Sequence, residues 1–342
     1  MRFLIALLIF HHHYYTNPQI EQFGVFPVAF FFMLSGFLMS MGYAKKIAAP
    51  DFSYWKFVHR RIVRIVPLNV IGLALAMVVP IGIDIAHHSF RPEIWGMLIP
   101  DLFLIQSWIP IKTVYFSGNA VAWFLSDMLF CYLMFPIICK VLQRSMKPCV
   151  VILVLYFIVV SYIPENQVHA FVYINPAFRV IDFTLGGCLY MLFSVGGSCI
   201  GRVRKMSVVN KTFIELLAFT FALSSLVLYP YITPRFSYAS LYWVPSAVVI
   251  GVLTVMAENG GGISRILETR WLVYLGSLSF AFYIFHTTII RLCKIIEVHF
   301  IPALTDYSVI GGSVCVVITV ITAYLYNQHV EPFVIKKINT NW

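Results

Sequence analysis

The chain has 342 residues, 60% of them hydrophobic and only 11% charged, against about a quarter charged in ordinary soluble domains. That balance excludes a soluble globule. Apolar runs of roughly 17–22 residues recur along the chain, each able to cross a ~30 Å hydrocarbon layer as a helix, and they predict an all-α polytopic membrane protein. The excess of 24 Lys and Arg over 14 Asp and Glu then marks loops on one side of a membrane and not a nucleic-acid surface.

About ten transmembrane helices are expected. The first, 3–15, lacks the small-residue cleavage pattern of a signal peptide and counts as a span. The others fall at 25–43, 65–83, 119–139, 149–164, 178–196, 213–231, 240–257, 271–290 and 308–327. A further apolar stretch, 94–110, is interrupted by Pro100 and Asp101 and reads as interfacial or re-entrant. With the N-terminus in the cytoplasm, eighteen of the 24 cationic residues lie inside: Arg2, the six from Lys45 to Arg64, Lys140, Arg144, Lys147, Arg202, Arg204, Lys205, Lys211, Arg265, Arg270, Lys336 and Lys337. Arg91, Lys112, Arg179, Arg235, Arg291 and Lys294 lie outside. This bias predicts an even number of spans and two cytoplasmic termini. The loops leave no room for an extra soluble domain, so residues 1–342 are expected to form a single membrane-embedded domain. Seven cysteines (Cys131, Cys139, Cys149, Cys188, Cys199, Cys293 and Cys315) contain no CxxC pair and indicate neither a metal site nor a disulfide framework.

Polar residues in or beside spans are costly, and each asks for a reason. Arg2 and His13 are eleven positions apart, about 1100° around a helix, which returns to within roughly 20° of the same face some 16 Å away. His13 therefore shares a stripe with Arg2, while His11 and His12 do not. Spacing alone leaves two readings: a functional pair, or a polar-aromatic belt of three histidines with Tyr14 and Tyr15. In HRRIVRIVPL, Arg61 and Arg64 share a helix face next to Arg60, and their planar guanidinium groups suit phosphate oxygens. A lipid-headgroup cluster is the alternative. Ser35–Gly36 puts a small pair in a bulky span, which suits close helix packing. Asp127 falls inside WFLSDMLFCYLMFP, and Asp182 follows Arg179 by three residues, the spacing of a local ion pair. Tyr283 and His286 sit in YLGSLSFAFYIFHTT, with His286 at about the depth of His13. Glu331–Pro332 is expected to end the last helix. Trp95, Trp108, Tyr115 and Trp243 suit either sugar stacking or belt anchoring.

Taken in order, the segments MRFLIALLIFHHHYY, GVFPVAFFFMLSGFLMS, FVHRRIVRIVPL, AWFLSDMLFCYLMFP, FRVIDFTLGGCLY, YLGSLSFAFYIFH and YNQHVEPF resemble the membrane-bound acyltransferase 3 family, which includes O-antigen and exopolysaccharide O-acetyltransferases. The resemblance runs through nearly the whole chain and rests on Arg2–His13, Ser35–Gly36–Phe37 and Arg61–Arg64–Pro67 in that order. It implies an O-acetyltransferase of a bacterial inner membrane, moving an acetyl group from cytoplasmic acetyl-CoA to a hydroxyl of a cell-surface polysaccharide or its lipid-linked precursor. Carried across by position, His13 is similar to the family's essential histidine, Arg2 to its paired arginine, and Arg61 with Arg64 to its RxxR element. The family's fourth-span motif often carries Glu, and Asp127 stands at a neighbouring position.

In this reading His13 is the base or transient acyl carrier, and Arg60, Arg61 and Arg64 hold the CoA phosphates. Ser35, Asp127, Tyr283 and His286 are expected to wall the cavity. No metal and no tightly bound cofactor are expected. Acyl-CoA, a glycan or lipid-linked glycan, and membrane lipids are the partners, with no nucleic acid. The alternatives are transfer of succinyl or another acyl group to a lipid or small molecule, and a non-enzymatic glycan or lipid exporter. The exporter predicts internal inverted repeats, and the sequence shows none.

Overall fold

The computed structural model describes residues 1–15, 17–88, 92–195, 201, 203, 205–257, 259–300 and 308–339. Arg91, Cys199, Arg202 and Arg204 lie outside the described residues. The longer helices are α1 (Arg2–Tyr15), α2 (Gln22–Ala48), α3 (Tyr54–Ala86), α4 (Pro92–Leu102), α5 (Trp123–Arg144), α6 (Lys147–Tyr162), α7 (Pro176–Val195), α8 (Val208–Leu228), α9 (Trp243–Met256), α10 (Arg270–Phe300), α11 (Ser308–Leu325) and α12 (Glu331–Asn339). No strand occurs among the described residues.

A helix is present at every expected span, but the count of membrane-crossing helices is smaller. Among the described residues seven are long and apolar enough to span, or eight when the bent pair Lys147–Tyr162 and Glu165–Ile174 is taken as one. The shortfall comes from three places. Helices α1 and α9 have 14 residues each, about 21 Å at 1.5 Å per residue, less than a hydrocarbon core. The third, α6, stops after 16 residues and the chain turns by 118° into the next segment.

The stretch at 94–110 does not run through as a helix. Pro100 sits inside α4, which ends at Leu102, and Leu104 takes a positive φ of 56°. The chain then makes a 3-10 turn at Gln106–Trp108 and a short helix at Lys112–Tyr115. At the other end, the expected stop at Glu331–Pro332 is corrected. A π turn at Tyr326–Val330 leads directly into α12, which carries the helical path to Asn339. Pro332 is tolerated there because it occupies the first turn of the new segment, where its missing N–H costs little.

The residues form two compact units. A central unit comprises 25–54 and 130–273, and a terminal unit comprises 2–24, 55–129 and 274–342. In the central unit the small pair at Ser35–Gly36 does what its size suggests. A Cβ added to Gly36 would lie 1.8 Å from the carbonyl oxygen of Phe183, and one on Gly186 would lie 1.9 Å from that of Met33. Reciprocal glycines thus let α2 and α7 touch backbone to backbone, which is how helices gain contact in lipid.

The same unit holds the local ion pair. Arg179 donates from Nη1 to Asp182 at 2.7 Å, and neither side chain has exposed surface. Its Nε donates to the Tyr173 carbonyl at 2.7 Å and its Nη2 to the Tyr238 carbonyl at 3.0 Å, while the Trp243 indole N–H donates to the second Asp182 oxygen. Every nitrogen of the Arg179 guanidinium and both Asp182 oxygens are therefore hydrogen-bonded, the condition under which a buried pair is tolerated.

The α2–α7 contact gives a test. Gly36→Ala should destabilise the purified protein by more than the ~1–3 kcal/mol of ordinary overpacking, read as a lower thermal midpoint, because backbone and not a side-chain tip stands in the way. Gly42→Ala, on the same helix with nothing within 4 Å of the new methyl, should be neutral or stabilising in the same melt.

Candidate active site

The terminal unit holds most of the residues that the sequence singles out. In α1 the buried residues Phe3, Ala6, Phe10 and Tyr14 recur at helical spacing, so one stripe faces α10. Phe3 packs edge-on against Phe282 with ring centroids 5.2 Å apart, and Phe10 lies 6.0 Å from Phe282 and 6.3 Å from His286. His13 continues this stripe, three residues beyond Phe10. Helix α10 answers with Ser279, Phe282, Tyr283 and His286, all buried.

His13 and His286 meet. Their ring centroids are 5.0 Å apart at an interplanar angle of 72°, and His13 Nδ1 lies 3.3 Å from His286 Nε2. The other contacts assign the protons. His286 Nδ1 faces the Tyr283 carbonyl at 2.5 Å, an acceptor only, so this nitrogen carries the hydrogen and Nε2 is the bare acceptor. His13 Nδ1 lies 2.9 Å from the Ile9 carbonyl and so also carries a hydrogen, shared between that carbonyl and His286 Nε2. One nitrogen is left: His13 Nε2 bears the lone pair. His286 is 1% exposed, whereas His13 keeps part of its surface open.

The neighbouring histidines are used differently. His12 donates from Nδ1 to the Ile20 carbonyl at 3.3 Å, and its ring lies where a Cβ on Gly24 would be, 2.8 Å away. His11 is exposed and packs on Tyr15 and Phe23 with centroids at 4.5 and 5.9 Å. The belt reading thus describes His11, a loop-anchoring role describes His12, and only His13 enters the pair.

Both ends of the pair are held. Tyr14, next to His13, receives the Lys294 ammonium on its carbonyl at 2.8 Å, and Gly311 and Gly312 of α11 leave room for its ring. On α10, the Tyr283 hydroxyl donates to the Val121 carbonyl at 3.3 Å, its ring packs on Phe124 at 5.1 Å, and the Asn119 amide donates to the Ile284 carbonyl at 2.8 Å. Asn119 escaped the sequence reading; its signal is a lone amide beside Gly118 at the head of an apolar run. Gly118 has φ +53°, and a Cβ there would lie 2.5 Å from Asp101 Oδ2.

The remaining predicted residues spread along the unit. Arg2 is exposed at the far end of α1, so the helix keeps it about 16 Å from His13. On α3, Arg60 and Arg64 are exposed and Arg61 is half-buried with its guanidinium 5.4 Å from the Phe57 ring. Arg64 Nε lies 3.6 Å from Glu331 Oε1, with the arginine side chain 57% exposed. An exposed pair of this kind contributes roughly 0–1 kcal/mol, so an incoming phosphate can displace the carboxylate. Asp127 is fully buried on α5, one residue after Ser126, whose hydroxyl bonds the Leu104 carbonyl at 2.6 Å. Ser35 belongs to the central unit and to its α2–α7 packing. Among the four aromatics considered for sugar stacking, Tyr115 and Trp243 are buried, and Trp95 and Trp108 are about 40% exposed. Among the described residues no group of three His, Cys, Asp or Glu side chains is placed to hold a metal ion.

Three outcomes are expected in an acyl-transfer assay. His13→Ala should lower the rate by about two to four orders of magnitude, the usual contribution of a general base, while membrane insertion is unchanged. His11→Ala should stay near wild type. His12→Ala should loosen the Ile20 anchor and remove the His12 ring from its edge-on contact with His13, centroids 5.0 Å apart, with a lower thermal midpoint and most of the rate retained.

A family model for an acyltransferase domain, acyltransferase 3, matches residues 1–326 of this chain. Acyltransferase MdmB of Streptomyces mycarofaciens is 27% identical over 322 residues, covering 85% of this chain and 78% of that one. No solved structure matches.

Proposed function

The chain belongs to the acyltransferase 3 family and is a membrane acyltransferase, and from that premise we propose that it is an O-acetyltransferase that carries an acetyl group from cytoplasmic acetyl-CoA to a hydroxyl of a cell-surface polysaccharide or its lipid-linked precursor. The proposed location is a bacterial inner membrane with both termini in the cytoplasm, and residues 1–342 act as one membrane-embedded domain.

The observation that carries this reading is the His13–His286 pair, which leaves a lone pair on His13 Nε2. A sugar hydroxyl is a poor nucleophile, and a positioned imidazole remedies that. His13 Nε2 removes the hydroxyl proton as the oxygen attacks the thioester carbonyl. The C–O bond forms, the C–S bond breaks, and the thiolate of CoA takes up the proton that His13 collected. The ring's gain of positive charge is offset by the Ile9 carbonyl and by His286 Nε2, both of which accept from Nδ1. No tightly bound cofactor takes part.

Arg60, Arg61 and Arg64 supply the cationic patch for the CoA phosphates. Arg61 and Arg64 lie one helical turn apart, and their forks match phosphate oxygens pairwise. Arg2, at the same end of α1 as the proposed cytoplasmic face, adds a further cation, and the ~16 Å from Arg2 to His13 is comparable with the reach of a pantetheine arm. Glu331 holds Arg64 when no phosphate is present.

Mass spectrometry of surface glycans tests the acceptor. A deletion strain should lose one acetyl mass per modified unit, regained with the wild-type gene and not with His13→Ala. Glycans of unchanged mass in the deletion strain would contradict the polysaccharide acceptor, and a surface free of the glycan would point to export. In kinetics with the purified protein, Arg61→Ala and Arg64→Ala should raise the KM for acetyl-CoA, with lysine a partial rescue because its point charge lacks the fork. Glu331→Gln should lower that KM, since the competing carboxylate charge is gone. An unchanged KM in both alanine variants would remove the phosphate role.

A further inference from the structure

In the central unit, at the corner where α6 turns through 118°, three aromatic side chains come together beside the buried Arg179. His169 and Tyr173 stand four residues apart on the π-helical segment His169–Ile174, and Tyr238 follows the short helix Pro234–Ser237. Ring centroids are 5.2 Å apart for His169–Tyr173, 5.6 Å for His169–Tyr238 and 5.5 Å for Tyr173–Tyr238. All three are half-buried, while Val168, Ala170, Val172 and Ile174 between them are buried. Each ring therefore keeps part of its surface open above a packed base. We propose that His169, Tyr173 and Tyr238 form an aromatic platform that binds sugar rings of the acceptor glycan. This rests on the acceptor reading above and extends it to a binding site.

Rigidity is the first argument. The buried Arg179 guanidinium donates to the carbonyls of both tyrosines, at 2.7 Å to Tyr173 and 3.0 Å to Tyr238, and lies 4.8 Å from the Tyr173 ring. One side chain thus fixes the two backbones that carry the rings. Arg235 fastens the same corner from below, donating to the Val160 carbonyl at 2.8 Å and to that of Ile163 at 2.5 Å. A surface ordered in advance pays less ordering entropy on binding, and π-helical turns are frequent at functional sites.

Chemistry is the second. The charge of Arg179 is balanced by Asp182 within the core, so the platform has no compensating need for an anion such as a phosphate. Flat aromatic rings offer their faces to the C–H surface of a pyranose, and tyrosine adds a hydroxyl at the rim. The preceding turn, Glu165–Gln167, is polar and exposed, so polar side chains able to meet sugar hydroxyls adjoin the platform in the chain.

The test uses the full chain in phospholipid nanodiscs, with acetyl-CoA and, as probe, polysaccharide extracted from the deletion strain. Tyr173→Leu and Tyr238→Leu should each raise the KM for the polysaccharide about tenfold, the size of one lost aromatic contact, with the KM for acetyl-CoA unchanged. Tyr173→Phe should recover most of the affinity. If the leucine variants do not fold, His169→Ala decides, with an expected rise of at least about threefold. An unchanged polysaccharide KM in the folded variants overturns the platform, and a fall in thermal midpoint alone marks the rings as membrane-interface anchors and overturns it equally. A wild-type protein that acylates no polysaccharide removes the acceptor reading and the platform together; one that acylates it with no effect of the substitutions removes only the platform.

Discussion

The contact from His13 Nδ1 to His286 Nε2 is the interaction on which the account of catalysis depends. Two neutral imidazoles inside a helical membrane protein have four ring nitrogens to place, and carbonyls of the preceding turn claim two of the hydrogens. Ile9 and Tyr283 each stand one turn back from the histidine they bind, so each helix sets the tautomer of its own ring. Once both Nδ1 atoms are protonated, the pair has a direction: His13 donates, His286 accepts, and the lone pair emerges on His13 Nε2. The partner here is an imidazole where many catalytic histidines use a carboxylate. It orients the ring without adding a negative charge, which lipid-depth burial would penalise.

That arrangement asks its two helices to hold their register, and the surrounding contacts supply it. Tyr14 is held by Lys294 and by the glycines of α11, and the backbone of α10 around Tyr283 and Ile284 is held through Val121 and Asn119. These are neutral or singly charged hydrogen bonds to backbone carbonyls, the kind that persists in an apolar surround. The arginines proposed to hold CoA phosphates are of the opposite kind. They are exposed or half-buried, and Arg64 meets Glu331 at 3.6 Å, a weak contact suited to a ligand that comes and goes.

The sequence made much of this legible where the signal was helical spacing. His13 was separated from His11 and His12 by its stripe, Arg179 from other outer cations by Asp182 three residues on, and Ser35–Gly36 by its small size among Phe and Met. In each of these the relevant partner was on the same helix or implied by volume. What the sequence could not show was pairing between segments far apart in the chain: His286 against His13, 273 residues away, Glu331 against Arg64, and Asn119 against the Ile284 carbonyl. Hydropathy also counted spans that length does not sustain, because α1 and α9 are apolar yet only 14 residues long. Trp243 was misread as a surface ring; its indole N–H is committed to buried Asp182, and the half-buried His169 and Tyr173 lie instead on a π turn that periodicity alone does not mark.

The most direct measurement of the central claim is the acyl-transfer rate of the purified protein carrying His286→Gln or His286→Leu. Glutamine can place an acceptor oxygen near the position of Nε2, so this variant should keep a rate within about tenfold of wild type, whereas leucine removes the acceptor and should cost two orders of magnitude or more at unchanged KM for acetyl-CoA. Equal rates in the two variants would contradict the account, since His286 would then contribute only volume to the packing of α10.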